Sequence, residues 1–255
     1  MKISSEFHSK NYNLRVNTQD RIKYIILHYT EVNFDEAIDI LCNSRGQDNV
    51  SAHYLISKSG KIFHLVGDFY KAWHAGKSKW RGDKNLNDIS IGIEIENLPN
   101  EPYTTNQFNS LIELCKHLMK KYNIFPENVL AHSDIAPNRK IDPGVHFDWH
   151  YLSKYSIGMS FKSVDHQFQK LDLTENKDML IDIQKRLHFL GYDINITGDY
   201  DKQTSDVFRA FQLHFNPYAI NAQGGLDYIS NLENFVVWDE NSNDILYDLV
   251  KILPN

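Results

Sequence analysis

The stretch "SIGIEIEN", residues 90 to 97, alternates strictly between isoleucine and other residues. A period of two is the repeat of a β-strand, so Ile91, Ile93 and Ile95 fall on one face and Gly92, Glu94 and Glu96 on the other. The segments around it alternate between strand and helix signals. "YIILHYT" (24 to 30) is a short β-branched run typical of a buried strand, and "NFDEAIDILCN" follows it with helical spacing. "AHYLISKSGKIFHLV" is two alternating stretches around Lys58-Ser59-Gly60, the pattern of a β-hairpin. From Thr104 to about Tyr122 the spacing predicts the longest helix, capped by Thr104 or Thr105. Phe108, Leu111, Ile112, Cys115, Leu118 and Met119 form its apolar stripe. "NVLAHSD" is a last strand, running into the charge-dense loop "AHSDIAPNRKIDPG" (131 to 144). Elements in this order predict an α/β domain over residues 1–158, with a central mixed sheet flanked by helices.

Beyond this the pattern changes. Residues 159–176 carry no strong period and read as a connector. Three helices are predicted after it: 177 to 190, ending at Gly191; 202 to 215; and about 243 to 252. They would bury Leu180, Ile183, Leu187, Leu190, Val207, Phe208 and Phe211, giving a smaller C-terminal three-helix domain over 177–255.

Composition narrows the function. With 42% hydrophobic and 24% charged residues in 255, the chain can bury a core without staples. A formal net charge of −6 argues against nucleic acid as a partner. Nothing approaches the length of an apolar membrane span. The start, "MKISSEFHSKNYNLRVN", has no apolar signal-peptide region and reads as an irregular entry strand; were it the true start, the expected location would be cytoplasmic. Cys42 and Cys115 lie in apolar-periodic stretches and read as buried free thiols.

Zinc hydrolases need three protein ligands and one open position. Here His28 ends one buried strand, His132 ends another, and Asp142 follows before Pro143-Gly144. Each is either a ligand or simply a polar residue at a strand end, and spacing alone does not choose. Glu94 and Glu96 share a strand face. If that face lines a cleft, they would raise each other's pKa and suit one of them for general-base work; if it faces solvent, they only keep it soluble.

At this point the residues resemble a known family. "IILHYT", "SAHYLISKSGKIF", "AWHAGKSKWRGDKNLNDISIGIEIEN" and "VLAHSDIAPNRKIDPGVHFDW" look like the zinc-dependent N-acetylmuramoyl-L-alanine amidases of the AmpD and AmiD type, in the right order over residues 22 to about 152. "DIQKRLHFLGYDINITGDYDKQTSDVFRAFQLHF" resembles a peptidoglycan-binding helical module, with Thr197-Gly198-Asp199 in place of its usual Asp-Gly pair. The whole arrangement is most similar to the AmiD branch.

The resemblance implies one Zn²⁺ per chain on His28, His132 and Asp142, Glu94 as the catalytic carboxylate and Lys140 as a transition-state stabiliser. Trp73, His74, His53, Arg81 and Asn87 are candidate substrate contacts, with Trp73 and His74 read equally as loop packing and His53 more simply as a strand histidine with a satisfied ring; Asp134, Arg139 and Asp148 would brace the loop. Ala52 stands where related amidases have a tyrosine, which leaves Glu94 the favoured base; Asn85 stands where they often carry an arginine that holds the stem peptide. The implied partners are peptidoglycan or muropeptides, the expected assembly is a monomer, and the family points to the cell envelope. Two competing readings keep the fold: a catalytically silent peptidoglycan-binding protein, and a recycling amidase restricted to soluble anhydromuropeptides.

Overall fold

The alternating stretch is the centre of a six-stranded sheet. In the computed structural model, which describes residues 1–15, 22–43, 49–161, 168–173 and 175–253, the strands are β1 (Ile3–Ser4), β2 (Tyr12–Leu14), β3 (Tyr24–Tyr29), β4 (Tyr54–Ile56), β5 (Ile62–His64), β6 (Tyr70–Ala72), β7 (Lys79–Trp80), β8 (Asp83–Lys84), β9 (Ser90–Ile95) and β10 (Val129–Ala131). The main sheet has the order β1-β5-β4-β9-β3-β10, while β2 pairs with β6 and β7 with β8 in two small ribbons. β4, β9, β3 and β10 run parallel; β4 and β5 form the expected antiparallel hairpin. Val16 and Asn17 of the entry stretch, and residues 162–167 and 174 of the connector, lie outside the described residues.

Helix α1 (Phe34–Ile38), capped by Asn33, continues as a π-turn over Asp39–Asn43. Helix α2 (Thr105–Tyr122) starts in a reciprocal capping box: Thr104 Oγ1 accepts from Gln107 N, and Gln107 Oε1 accepts from Thr104 N. It ends at Asn123, whose positive φ stops the helix. Its stripe of Leu111, Leu114, Cys115 and Leu118 packs on Ile25, Leu27, Ile91, Ile93 and Ile95, all buried on one sheet face. Burying each such side chain is worth about 1.5–3 kcal/mol, and this layer anchors the sheet.

The remaining helices are α3 (His132–Ile135), α4 (Trp149–Ser153), α5 (Lys177–Leu190), α6 (Lys202–Phe215), α7 (Pro217–Ala222), α8 (Gly225–Ile229) and α9 (Glu240–Ile252). α5 and α6 have the predicted bounds, and their expected core residues are buried. The three-helix expectation is short by two. α7 and α8, six and five residues long and split by Gly224–Gly225 with positive φ, are too brief to display a helical period. α9 starts at Glu240, capped by Asp239, three residues before its apolar pattern begins. The described part of the connector is packed: Leu171 N bonds to Trp238 O and Leu173 is buried.

The helical unit does not keep a core of its own. Tyr24, Ile26, Trp80, Leu130 and Ile135 from the sheet side share one apolar cluster with Leu187, Tyr192, Phe208 and Phe211. The face of the sheet opposite α2 is therefore covered by helices at one end and left open at the other.

Asp68 pins a second region. Its buried carboxylate accepts from Tyr54 Oη at 2.8 Å, Tyr122 Oη at 2.6 Å and Lys121 Nζ at 2.8 Å. Burial by itself pushes this carboxyl up, but His64, Lys121, Tyr122 and Tyr54 together hold it well below the usual carboxylate range. The folded chain thus sheds this proton more readily than the unfolded one, so the stabilisation is present above about pH 4 and is lost as the pH falls below it. Asp68→Asn should cost about 3 kcal/mol at pH 7 in urea denaturation, and the gap to wild type should narrow only gradually below pH 4, because the folded carboxylate stays ionised well below that pH.

Candidate active site

Parallel pairing sets the site. On β3 and β9, His28 is in register with Glu94; on β3 and β10, Leu27 is in register with Ala131, so His132 follows one step on, level with His28. The three side chains meet at the carboxyl ends of adjacent strands, where open α/β sheets form clefts. His28 Nδ1 and His132 Nδ1 are 2.9 Å apart, and each is 3.0 Å from Asp142 Oδ2. The loop from 132 brings Asp142 back because Ser133 N donates to Asp142 O at 3.0 Å. Arg139 straps the same loop to the opposite wall by donating to Ala75 O and Lys77 O. His28, His132 and Asp142 are 2%, 3% and 6% exposed, and among the described residues they form the group of His, Cys, Asp and Glu side chains placed to hold a metal ion.

The hydrogen directions decide whether that group fits a metal. Ser90 Oγ donates to Leu86 O at 2.6 Å, so it accepts from His74 Nε2 at 3.2 Å. His74 Nδ1 is then unprotonated and accepts from His28 Nε2 at 3.0 Å, which leaves the lone pair of His28 Nδ1 facing the cluster. His132 Nε2 likewise donates to Ala75 O at 3.3 Å and turns Nδ1 inward. Outer acceptors of this kind fix the tautomer of metal-binding histidines. Burial, then the neighbouring His132, pushes His28 down to about 4, and burial pushes His74 well below the ordinary histidine value. Asp142 is held well below the carboxylate range: burial opposes this, but contact with His132 and His28 outweighs it. Two neutral imidazoles and one carboxylate are a zinc donor set. Tetrahedral zinc would space such ligand atoms roughly 3.3 Å apart, which the observed triangle meets with slight opening.

The two strand glutamates have separate fates. Glu94 lines a cavity of about 150 Å³ together with the three cluster residues, Tyr29, His74 and Lys140. Its Oε2 is buried with no hydrogen-bond partner among the described residues. Burial, then Asp142, raises its pKa well above the ordinary value, with Lys140 opposing. Glu96 instead accepts from Phe34 N at 3.2 Å and Lys58 N at 2.7 Å. It closes a helix start and a turn, so the mutual repulsion of two cleft carboxylates is replaced by burial beside Asp142.

Of the residues expected to meet substrate, His74 alone reaches the cluster cavity. His53 is fully buried and accepts from Gly92 N at 3.0 Å, holding the sheet. Asn87 Oδ1 accepts from His74 N and Ala75 N, which makes it the brace of that loop. Trp73 donates from Nε1 to Asn13 Oδ1 at 2.8 Å, on the β2–β6 ribbon. Arg81 bonds to Leu190 O and Gly191 O of the helical unit. Asp148, expected to brace the loop, caps α4 through Tyr151 N. Sequence reading missed Ser90 and Tyr29: a serine at a strand start and a tyrosine in a buried run carry no local mark of a role.

Fold and site define a class: a hydrolase on a mixed α/β sheet, with a metal-competent His-His-Asp cluster beside a buried carboxylate at the strand ends. Comparison narrows it. The family model described as N-acetylmuramoyl-L-alanine amidase matches residues 18–145, and the model "Putative peptidoglycan binding domain" matches 176–218. The N-acetylmuramoyl-L-alanine amidase AmiD of Escherichia coli (strain K12) is 36% identical over 222 residues, 80% of this chain and 78% of that protein. Its structure in complex with anhydro-N-acetylmuramic acid-L-Ala-D-gamma-Glu-L-Lys superposes with a TM-score of 0.73 at 31% identity, covering 91% of this chain and 89% of the other. AmpDh3 from Pseudomonas aeruginosa gives a TM-score of 0.71 at 30% identity over 100% and 99%. The chain belongs to the N-acetylmuramoyl-L-alanine amidase family.

Gly92 shows how tightly the site is built. A Cβ there would lie 2.3 Å from the His74 ring, which rests directly on the strand. Gly92→Ala should therefore displace His74 and destabilise the fold by about 1–3 kcal/mol, measurable by urea denaturation. An unchanged midpoint would show that the ring can move aside freely.

Proposed function

We propose that the chain hydrolyses the amide between the lactyl group of muramic acid and L-alanine in peptidoglycan or muropeptides, with one Zn²⁺ held by His28, His132 and Asp142. The observation that carries this reading is the convergence of three buried ligand atoms within 3.0 Å of one another, beside a carboxylate oxygen that has no hydrogen-bond partner among the described residues. The complex of the AmiD relative with an anhydromuramyl tripeptide supports a muropeptide as substrate.

Zinc, when bound, supplies Lewis-acid activation of a water and of the scissile carbonyl. The residues of the chain do the rest. Burial keeps the Glu94 carboxyl high in pKa, suiting it to take a proton from the attacking water and return it to the leaving amine of L-alanine. Lys140, on the cavity wall, places a cation where negative charge develops on the carbonyl oxygen. Asp142 remains ionised and would supply the anionic ligand beside the two neutral histidines. His74 and Ser90 hold the His28 tautomer, and His74 also lines the cavity.

Glu94→Gln should lower kcat by about 10²–10⁴-fold on an anhydromuropeptide while the protein retains about one zinc per chain. Mass spectrometry of released stem peptide and metal analysis of the same sample read both. Turnover at the wild-type rate would remove Glu94 from the chemistry; a metal-free wild type with full activity would remove zinc from it.

A further inference from the structure

Asp134 lies two residues beyond His132 and is buried. Its Oδ2 accepts from Ala131 N at 2.8 Å, at the turn where β10 becomes α3. The same oxygen meets His214 Nδ1 at 2.7 Å, and Oδ1 accepts from Tyr192 Oη at 2.7 Å. Tyr192 follows α5 and His214 sits in the last turn of α6, 58 and 80 residues downstream. Both donors are themselves clamped. The His214 ring stacks on Trp149 at 3.8 Å and on Phe215 at 4.0 Å, with Nε2 bonded to Met159 O; the Tyr192 ring meets Trp80 edge-on at 4.9 Å. Arg209, also from α6, donates to Pro137 O at 3.1 Å while anchored by Asp206. The helical unit therefore grips the loop at 134 and 137, between His132 and Asp142.

We propose that the C-terminal helical unit is a structural part of the metal site, with Tyr192 and His214 as positioning residues that act on His132 through Asp134. α3 is a single turn, which cannot hold its own direction, since short helices depend on tertiary contacts. The carboxylate that closes its first turn is fixed at both oxygens from outside the catalytic sheet. Burial keeps the Tyr192 hydroxyl protonated far above neutral pH, so it stays a donor. A module that served only to anchor the chain to a wall would have no need of a buried hydrogen bond beside a ligand loop.

This inference rests on the zinc reading above, and the test separates the two. In the full chain, zinc affinity is measured by chelator competition at 25 °C for wild type, Tyr192→Phe, His214→Gln and Asp134→Asn, with thermal midpoints of the metal-free proteins. Leu249→Ala, which removes a buried side chain of α9, serves as a control for general loosening of the helical unit. Tyr192→Phe and His214→Gln should each weaken zinc by about tenfold or more, the usual effect of losing an outer partner of a metal site. Tyr192→Phe added to Asp134→Asn should weaken it no further, while Leu249→Ala lowers the midpoint and leaves zinc affinity as in wild type. Unchanged affinity in both Tyr192→Phe and His214→Gln, or an equal loss in the control, overturns the inference. A wild type that binds no zinc overturns the zinc reading, and this inference with it.

Discussion

The parallel pairing of β3 with β9 on one side and β10 on the other is the constraint on which the rest depends. In-register residues of parallel neighbours point the same way, so placing His28 opposite Glu94 also places both on the open sheet face. The pairing of Leu27 with Ala131 brings His132 to the same level. A slip of one residue in either register would send these side chains to the face occupied by α2. The isoleucines of β9, packed on α2, prevent that slip. The apolar layer on one side thus fixes the chemistry on the other.

Around this frame the polar groups are bound in a directed chain. Leu86 O, Ser90, His74 and His28 each leave one choice for the next hydrogen, and the chain ends with a lone pair facing Asp142. Such a chain works only when buried, because water would offer every member an alternative partner. The same burial that orders the histidines raises the Glu94 pKa, and among the described residues its Oε2 has no hydrogen-bond partner. An amidase needs both conditions at one point. Gly92 satisfies them sterically, by letting the His74 ring lie on the strand.

The helical unit completes the enclosure. Gln184 of α5 bonds Thr197 N, Gly198 N, Asp199 O and Thr204 Oγ1, so the unusual Thr197-Gly198-Asp199 turn is held from within. Gly191, at the end of α5, leaves space that a Cβ would take from Trp80. Close approach there brings Tyr192 to Asp134 and merges the cores of the two units. None of the described helices is long and apolar enough to cross a membrane.

Much of this was legible in the residues themselves. Alternation in 90 to 97, the apolar stripe and capping pair of α2, and the spacing of α5 and α6 are local patterns, each written within a few turns of chain and therefore readable without tertiary context. The identities of the residues that converge in the cleft were open to recognition because their motifs are long. The sequence by itself determined these elements and that inventory. Tertiary structure alone decided that Glu96 turns to the amides of Phe34 and Lys58, that His53 and Asn87 brace backbone, and that His214 and Tyr192 reach Asp134. The reason is physical: local periodicity reports which face a residue shares, whereas a hydrogen bond across 58 or 80 residues depends on strand register and helix packing that no single segment contains.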